Sequence, residues 1–279
     1  MPFWSSVDQV APAPSSPLAS CVTSFWLHQS EPQARSRVLP TGTAQLIIDL
    51  SCDGLYVPDH SSASRARDTL PALFNGADTT AFLLETDRPL YQFGVDFKPG
   101  GAYPFFAPPA SELQNAHLPL DALWNAGVVN ELSERVTVAS TLAERAEILE
   151  ELLLRQVMRP LDHHPAVRLA LQAFSNAPQA RAVAVVADAA GLSAGRLTRV
   201  FHEEVGLTPK QFARVQRFRW ALRRLRKGTR VNWARRAVEC GYYDQAHLIK
   251  DFQAFAGVCP SAYLRARDAR SPTTLLLAK

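Results

Sequence analysis

The chain has 279 residues, of which 47% are hydrophobic and 20% charged, and its formal net charge is +4. That is long enough for two domains with real cores and too apolar for a disordered chain. No apolar stretch approaches the roughly 18 residues a membrane span needs. The cysteines, Cys21, Cys52, Cys240 and Cys259, are too scattered for a zinc site or a disulfide framework.

In chain order, residues 1–19 are rich in Pro, Ser and Ala and read as a flexible arm. Leu18-Ala-Ser-Cys21 has the shape of a lipoprotein cleavage site. No Lys or Arg precedes it, however, Asp8 is charged, and Pro12, Pro14 and Pro17 interrupt any apolar segment. Cys21 therefore reads as an ordinary residue, and a cytoplasmic location is expected.

Residues 20–120 have a β texture, with short apolar or alternating runs at 44–50, 80–85 and 91–97 separated by Gly, Pro, Asn and Asp turns. A small cupin-like barrel or a sandwich is expected there. Phe97, Tyr103, Phe105 and Phe106 follow one another closely and are the candidates for lining a ligand pocket, with simple core packing as the alternative. His28, His60 and His117 have no ligand spacing, so neither a metal nor a cofactor is expected.

Residues 121–159 read as helical, with Leu142, Ala146, Leu149 and Leu153 in one stripe. Either the stripe covers the β domain or it pairs with a second copy in a homodimer; the spacing fits both. Pro160 and Pro165 flank Leu-Asp-His-His, and residues 160–279 form a second, helical domain.

That domain contains a repeat. Ala187, Gly191, Leu197, Phe201, Gly206, Pro209 and Phe212 recur as Ala237, Gly241, Leu248, Phe252, Gly257, Pro260 and Tyr263, with one extra residue between Gly241 and Leu248 in the later copy. The spacing is that of a helix, a tight turn and a helix, so two helix-turn-helix units are expected at about 183–204 and 232–256. Ser193 and Asp244 are suitable N-caps, and Gly206 and Gly257 suitable stops. A long helix from Thr208 to Gly228 is expected to join the units and to span roughly 30 Å, close to one turn of B-DNA.

Charge is divided unevenly. Residues 1–165 hold 10 Lys/Arg against 19 Asp/Glu and residues 166–279 hold 20 against 7, so the halves carry −9 and +13. A basic helical module points to a polyanion partner, double-stranded DNA first. With the apolar faces turned inward, the first reading helix offers Ser193, Gly195, Arg196, Thr198 and Arg199. The second offers Gln245, Ala246, His247, Ile249 and Lys250. Arg and Lys pair with guanine edges, Gln with adenine, and small apolar groups with thymine methyls. Arg214, Arg217, Arg235 and Arg236 read as phosphate contacts or local ion-pair partners.

Residues 166–265 resemble the tandem helix-turn-helix domain of the AraC/XylS family of bacterial transcription regulators, most closely in the segment GYYDQAHLIKDFQAFAGVCPSAYL from Gly241 to Leu264. The segments GVDFKPGGAYPFF and PASEL resemble the β-rich sensor region of one branch of that family. Gly195 departs from the bulky contact residue often found at its position.

The resemblance implies an α+β chain of two domains that binds DNA, responds to a small-molecule effector held in the β domain, and meets RNA polymerase if it activates. A constitutive architectural DNA binder is the alternative, and a cupin-like enzyme the more distant one.

Overall fold

The computed structural model describes residues 7–11, 17–30, 36–51, 54–55, 70–84, 89–175, 182–225, 232–266 and 274–276. It is a two-part α+β structure, β-rich first and helical after.

A six-stranded antiparallel sheet forms the first part. Its strands are β1 (Val7–Ala11), β2 (Val22–Ser30), β4 (Gln45–Asp49), β5 (Ala72–Asn75), β7 (Leu90–Phe97) and β8 (His117–Pro119), in the order β1-β2-β7-β4-β5-β8. A smaller sheet has the order β6-β3-β9, with β3 at Ser36–Val38, β6 at Phe82–Leu84 and β9 at Thr274–Leu276. β1 and β8 are left as edges, so among the described residues the sheet is open and the expected closed barrel does not form. The expectation of a loose arm gives way at 7–11, where β1 pairs with Trp26 and its neighbours.

Alternation along the strands gives the sheet two faces. Phe25, Leu46, Ile48, Phe74, Phe93, Val95 and Phe97 point to one side, where α1 (Ala126–Val138) and α2 (Leu142–Arg155) cover them. The stripe of Leu142, Ala146, Leu149 and Leu153 is buried in that layer, so of its two expected uses it covers the sheet. Trp26, Ile47 and Leu73 point the other way and meet Val38 and Phe82 of the small sheet. Here Gly94 is a steric requirement, because a Cβ would lie 2.3 Å from the Trp26 indole.

This second face also carries a polar row across five strands. The register places Ser24 opposite Asp96, Asp96 opposite Gln45, Gln45 opposite Asn75, and Asn75 opposite His117. All five are buried.

The helical part runs α3 (Pro165–Ser175), α4 (Val183–Ala189), α5 (Ala194–Val205), α6 (Pro209–Arg224), α7 (Trp233–Glu239), α8 (Gln245–Ala256) and α9 (Pro260–Ala266). Its core joins Phe174, Leu197, Phe201, Phe212, Phe218, Leu248, Phe252 and Tyr263. The joining helix is shorter than expected. α6 has 16 residues, about 24 Å, and stops where Leu225 turns extended. The distance between the two readers is therefore not set by that helix alone.

Candidate nucleic-acid interface

Both units are built as the repeat predicts. Gly191 and Gly241 sit at φ +68° and +78° in the turns, a backbone state that L side chains rarely adopt. Ser193 Oγ accepts from the Arg196 amide at 3.2 Å and the Asp244 carboxylate accepts from the His247 amide at 2.7 Å, capping α5 and α8. Gly206 and Gly257, both left-handed, end them.

The N-terminal ends of the two reading helices face solvent. Ser193, Gly195, Arg196 and Arg199 are exposed and Thr198 is half-buried; Gln245, Ala246 and Lys250 are exposed, and His247 and Ile249 half-buried. Beneath them Leu197, Phe201, Leu248 and Phe252 are buried. The structure therefore separates the candidate readers from the core in both copies.

The four arginines expected as phosphate contacts or ion-pair partners take the second role. Arg214 and Arg217 reach the buried Asp251 carboxylate at 2.7 and 3.5 Å, and Arg217 also lies over the Tyr242 ring. They fasten α8 to α6. Arg235 and Arg236 pair with Glu239 within α7, at 2.8 and 2.9 Å. The apposition of Arg214 and Asp251 is not visible in sequence, because the partners stand 37 residues apart. Lys210, which spacing alone does not single out, is exposed beside Lys250 and His247 in a cleft of about 590 Å³ between α6 and α8.

The opposite ends of the readers meet the β domain. At the end of α5, Tyr103 Oη donates to Glu203 at 3.1 Å, and His163 Nδ1 lies 2.8 Å from Glu204. At the end of α8, Arg37 Nη1 donates to the Ala256 carbonyl at 3.1 Å. Between them Arg219 of α6 donates to the Thr41 carbonyl at 3.2 Å.

Of the four aromatic pocket candidates, Phe97 and Phe105 lie ring against ring in the core. Phe106 and Tyr103 border an interdomain cavity of about 20 Å³, room for about one water molecule and too small for a metabolite. The cluster is predominantly core because its side chains face the α1–α2 layer. His28 and His117 are buried, the latter 2.7 Å from Asn75; His60 and Cys52 lie outside the described residues. Among the described residues no group of three His, Cys, Asp or Glu is placed to hold a metal ion, and no helix is long and apolar enough to cross a membrane.

Residues 186–266 match the family described as a helix-turn-helix domain. The chain carries an AraC-type helix-turn-helix domain. Residues 11–119 match a second family, described as a domain of unknown function (DUF6597).

Among solved structures, the AraC-type domain is similar to the C-terminal domain of AraT, a response regulator from Geobacillus stearothermophilus, at 26% identity over 37% of this chain and 87% of that one, with a TM-score of 0.35. It is also similar to the DNA-binding domain of AdpA, a global transcriptional factor solved with a target DNA, at 27% identity over 39% and 96%, with a TM-score of 0.34. ToxT from Vibrio cholerae aligns over 87% of this chain and 99% of its own at 11% identity, with a TM-score of 0.49. No curated protein matches the chain. With its AraC-type domain, the chain is a DNA-binding transcriptional regulator whose partner is double-stranded DNA.

Proposed function

We propose that the chain reads a specific DNA sequence with the N-terminal ends of α5 and α8, and that a small molecule bound in the β domain modulates that reading. The observation that carries the DNA half is the pairing of exposed, capped helix ends with a C-terminal half of charge +13. Arg199, Lys250 and Gln245 are assigned to base edges. Ser193, Gly195, Arg196, Thr198, Ala246, His247 and Ile249 line the same surfaces, and Lys210 supplies phosphate contact.

The modulation half is supported by the polar row and by its route to α6. Asp96 accepts from Gln45 Nε2 at 2.6 Å and Trp26 Nε1 at 3.1 Å on one oxygen, while its other oxygen and the Ser24 hydroxyl are buried with no hydrogen-bond partner among the described residues. Burial pushes the Asp96 carboxyl up to about 6. Burial also lowers Arg219 to about 10, the Arg223 charge adds to that, and Asp96 partly offsets both. A ligand that engaged the row would thus act on the helix between the two readers. It must bind the two presentations differently to have an effect.

The test has two arms. Gel shift of the full chain on the DNA upstream of its own operon is expected to show specific binding that weakens steeply with salt. Salt-insensitive binding, or none, rejects the DNA reading. A thermal-shift panel of metabolites is expected to yield at least one stabilising compound whose effect Asp96→Asn removes; a flat panel favours the constitutive architectural reading. Contact with RNA polymerase remains part of the proposal and rests on the family resemblance; a homodimer would use a surface other than the buried stripe.

A further inference from the structure

The extra residue of the second unit can be identified in the structure. In both copies a backbone amide just after the turn glycine donates to the repeat alanine at 2.9 Å: Leu192 to Ala187, and Tyr242 to Ala237. Leu192 and Tyr242 are therefore equivalent. In the first copy the cap, Ser193, follows at once; in the second, Tyr243 stands between Tyr242 and the cap Asp244.

The residue before a cap usually packs down on the first turn of its helix. Leu192 does so, packed against the core. In the second copy Tyr242 fills that place, buried, edge-on to His247 and under the Arg217 guanidinium. The insertion leaves Tyr243 with no packing role, and it is 88% exposed. Its backbone is held, with its amide donating to His247 Nδ1 at 3.4 Å, and its exposed side chain precedes the α8 cap by one position. The Asp244 carboxylate is turned into the helix by its cap bond.

We infer that Tyr243 is a DNA contact of the second reader, its phenol donating to a phosphate oxygen at the lip of the groove that α8 enters. A helix that enters the major groove by its N-terminal end brings the residues just ahead of it against the flanking backbone. Tyrosine is among the side chains that bond phosphate oxygens. It also loses little entropy on being fixed, having two side-chain torsions. The first reader has no counterpart, so the contact anchors only the second.

The inference rests on the DNA-reading function proposed above, and the test keeps the two apart. Wild-type full chain is first used to enrich a duplex from a random pool; failure at this step rejects the DNA reading and the tyrosine contact together. Tyr243→Phe and Tyr243→Ala are then measured on the enriched duplex and on a shuffled duplex of the same composition, at several salt concentrations. Loss of one hydrogen bond from an uncharged donor to a charged oxygen predicts that Tyr243→Phe weakens both duplexes by a similar factor, about tenfold or more, and leaves the salt slope unchanged. Tyr243→Ala is expected to lose at least as much, with melting temperatures at the wild-type value. Wild-type binding by Tyr243→Phe overturns the phosphate contact, whether or not Tyr243→Ala binds more weakly. A loss confined to the enriched duplex also overturns it, because that is the mark of a base contact.

Discussion

The two helix-turn-helix units share a scaffold but differ in what holds them and in what they present. The first reader is steadied from behind by Tyr103 of the β domain on Glu203, and by His163, between the two parts, which lies 2.8 Å from Glu204 and 3.1 Å from the Pro99 carbonyl. The second is fastened mainly from within its own domain, where Asp251 on α8 takes both Arg214 and Arg217 of α6, with Arg37 of the β domain at its far end. Their outward faces differ too: Gly195, Thr198 and Arg199 in the first stand where the second has Ala246, Ile249 and Lys250. Duplication thus preserves the apolar spacing that makes the unit fold, while the polar positions on either side of it diverge.

The largest expected effect breaks the fastening of the second unit. Asp251 is 2% exposed, so Asp251→Ala strands the Arg217 guanidinium, which is 14% exposed, while Arg214 at 38% can turn to water. A loss of about 3–5 kcal/mol is expected in denaturant unfolding, with second-reader binding lost alongside it. A loss below about 1 kcal/mol would mean that the arginines find water as good a partner as Asp251.

A second deeply buried carboxylate, Asp96, supplies the opposite sign. Asp96 has one oxygen with no hydrogen-bond partner among the described residues, and burial raises its carboxyl to about 6. Below about pH 4 the native and unfolded chains both hold the proton. From there to about pH 6 only the native one does, so stability falls as pH rises and is lowest above that. Asp96→Asn is expected to reduce that slope, leaving the part due to Asp78, whose carboxyl burial also raises, and to gain up to about 3 kcal/mol at about pH 8, measured as melting temperature against pH. An unchanged slope would place the titrating group elsewhere.

On DNA, Lys250→Ala and Gln245→Ala together are expected to cost more specific binding than Arg199→Ala. Each should fall by about tenfold on the specific site and less on random duplex. Equal losses on both duplexes would reduce these residues to phosphate contacts.

How much of this was legible in sequence follows from the distance over which each feature is decided. The helix-turn-helix units, their caps and their stops depend on residues within a few positions of one another, and the boundaries near 183–205 and 233–256 agree with the spacing. The roles of Arg214 and Arg217 depend on Asp251, more than 30 residues away, and spacing carries no record of that. The sheet order is likewise a matter of long-range register. The polar row did leave a signal, a lone aspartate between Val95 and Phe97 in an apolar strand, but only the pairing with Ser24 and Gln45 turns it into a row. That one residue is inserted between Gly241 and Leu248 was visible; that it is Tyr243, and that it is exposed, was not.

The smallest expected effect bears most directly on whether the first unit reads bases or only holds the backbone. Gly195 occupies the position of Ala246, in helical rather than left-handed backbone, and a Cβ built there meets nothing within 4 Å. Gly195→Ala is therefore expected to stabilise α5 by up to about 1 kcal/mol, since glycine is the poorer helix former and no contact opposes the methyl. If side chains such as Arg199 carry the reading, the methyl leaves affinity for the specific site unchanged. A fall in affinity accompanied by a gain in melting temperature would instead mean that the α5 backbone itself approaches the DNA at Gly195, closer than a methyl allows. The absence of a side chain would then be the contact, and the two readers would engage DNA by different means on one shared scaffold.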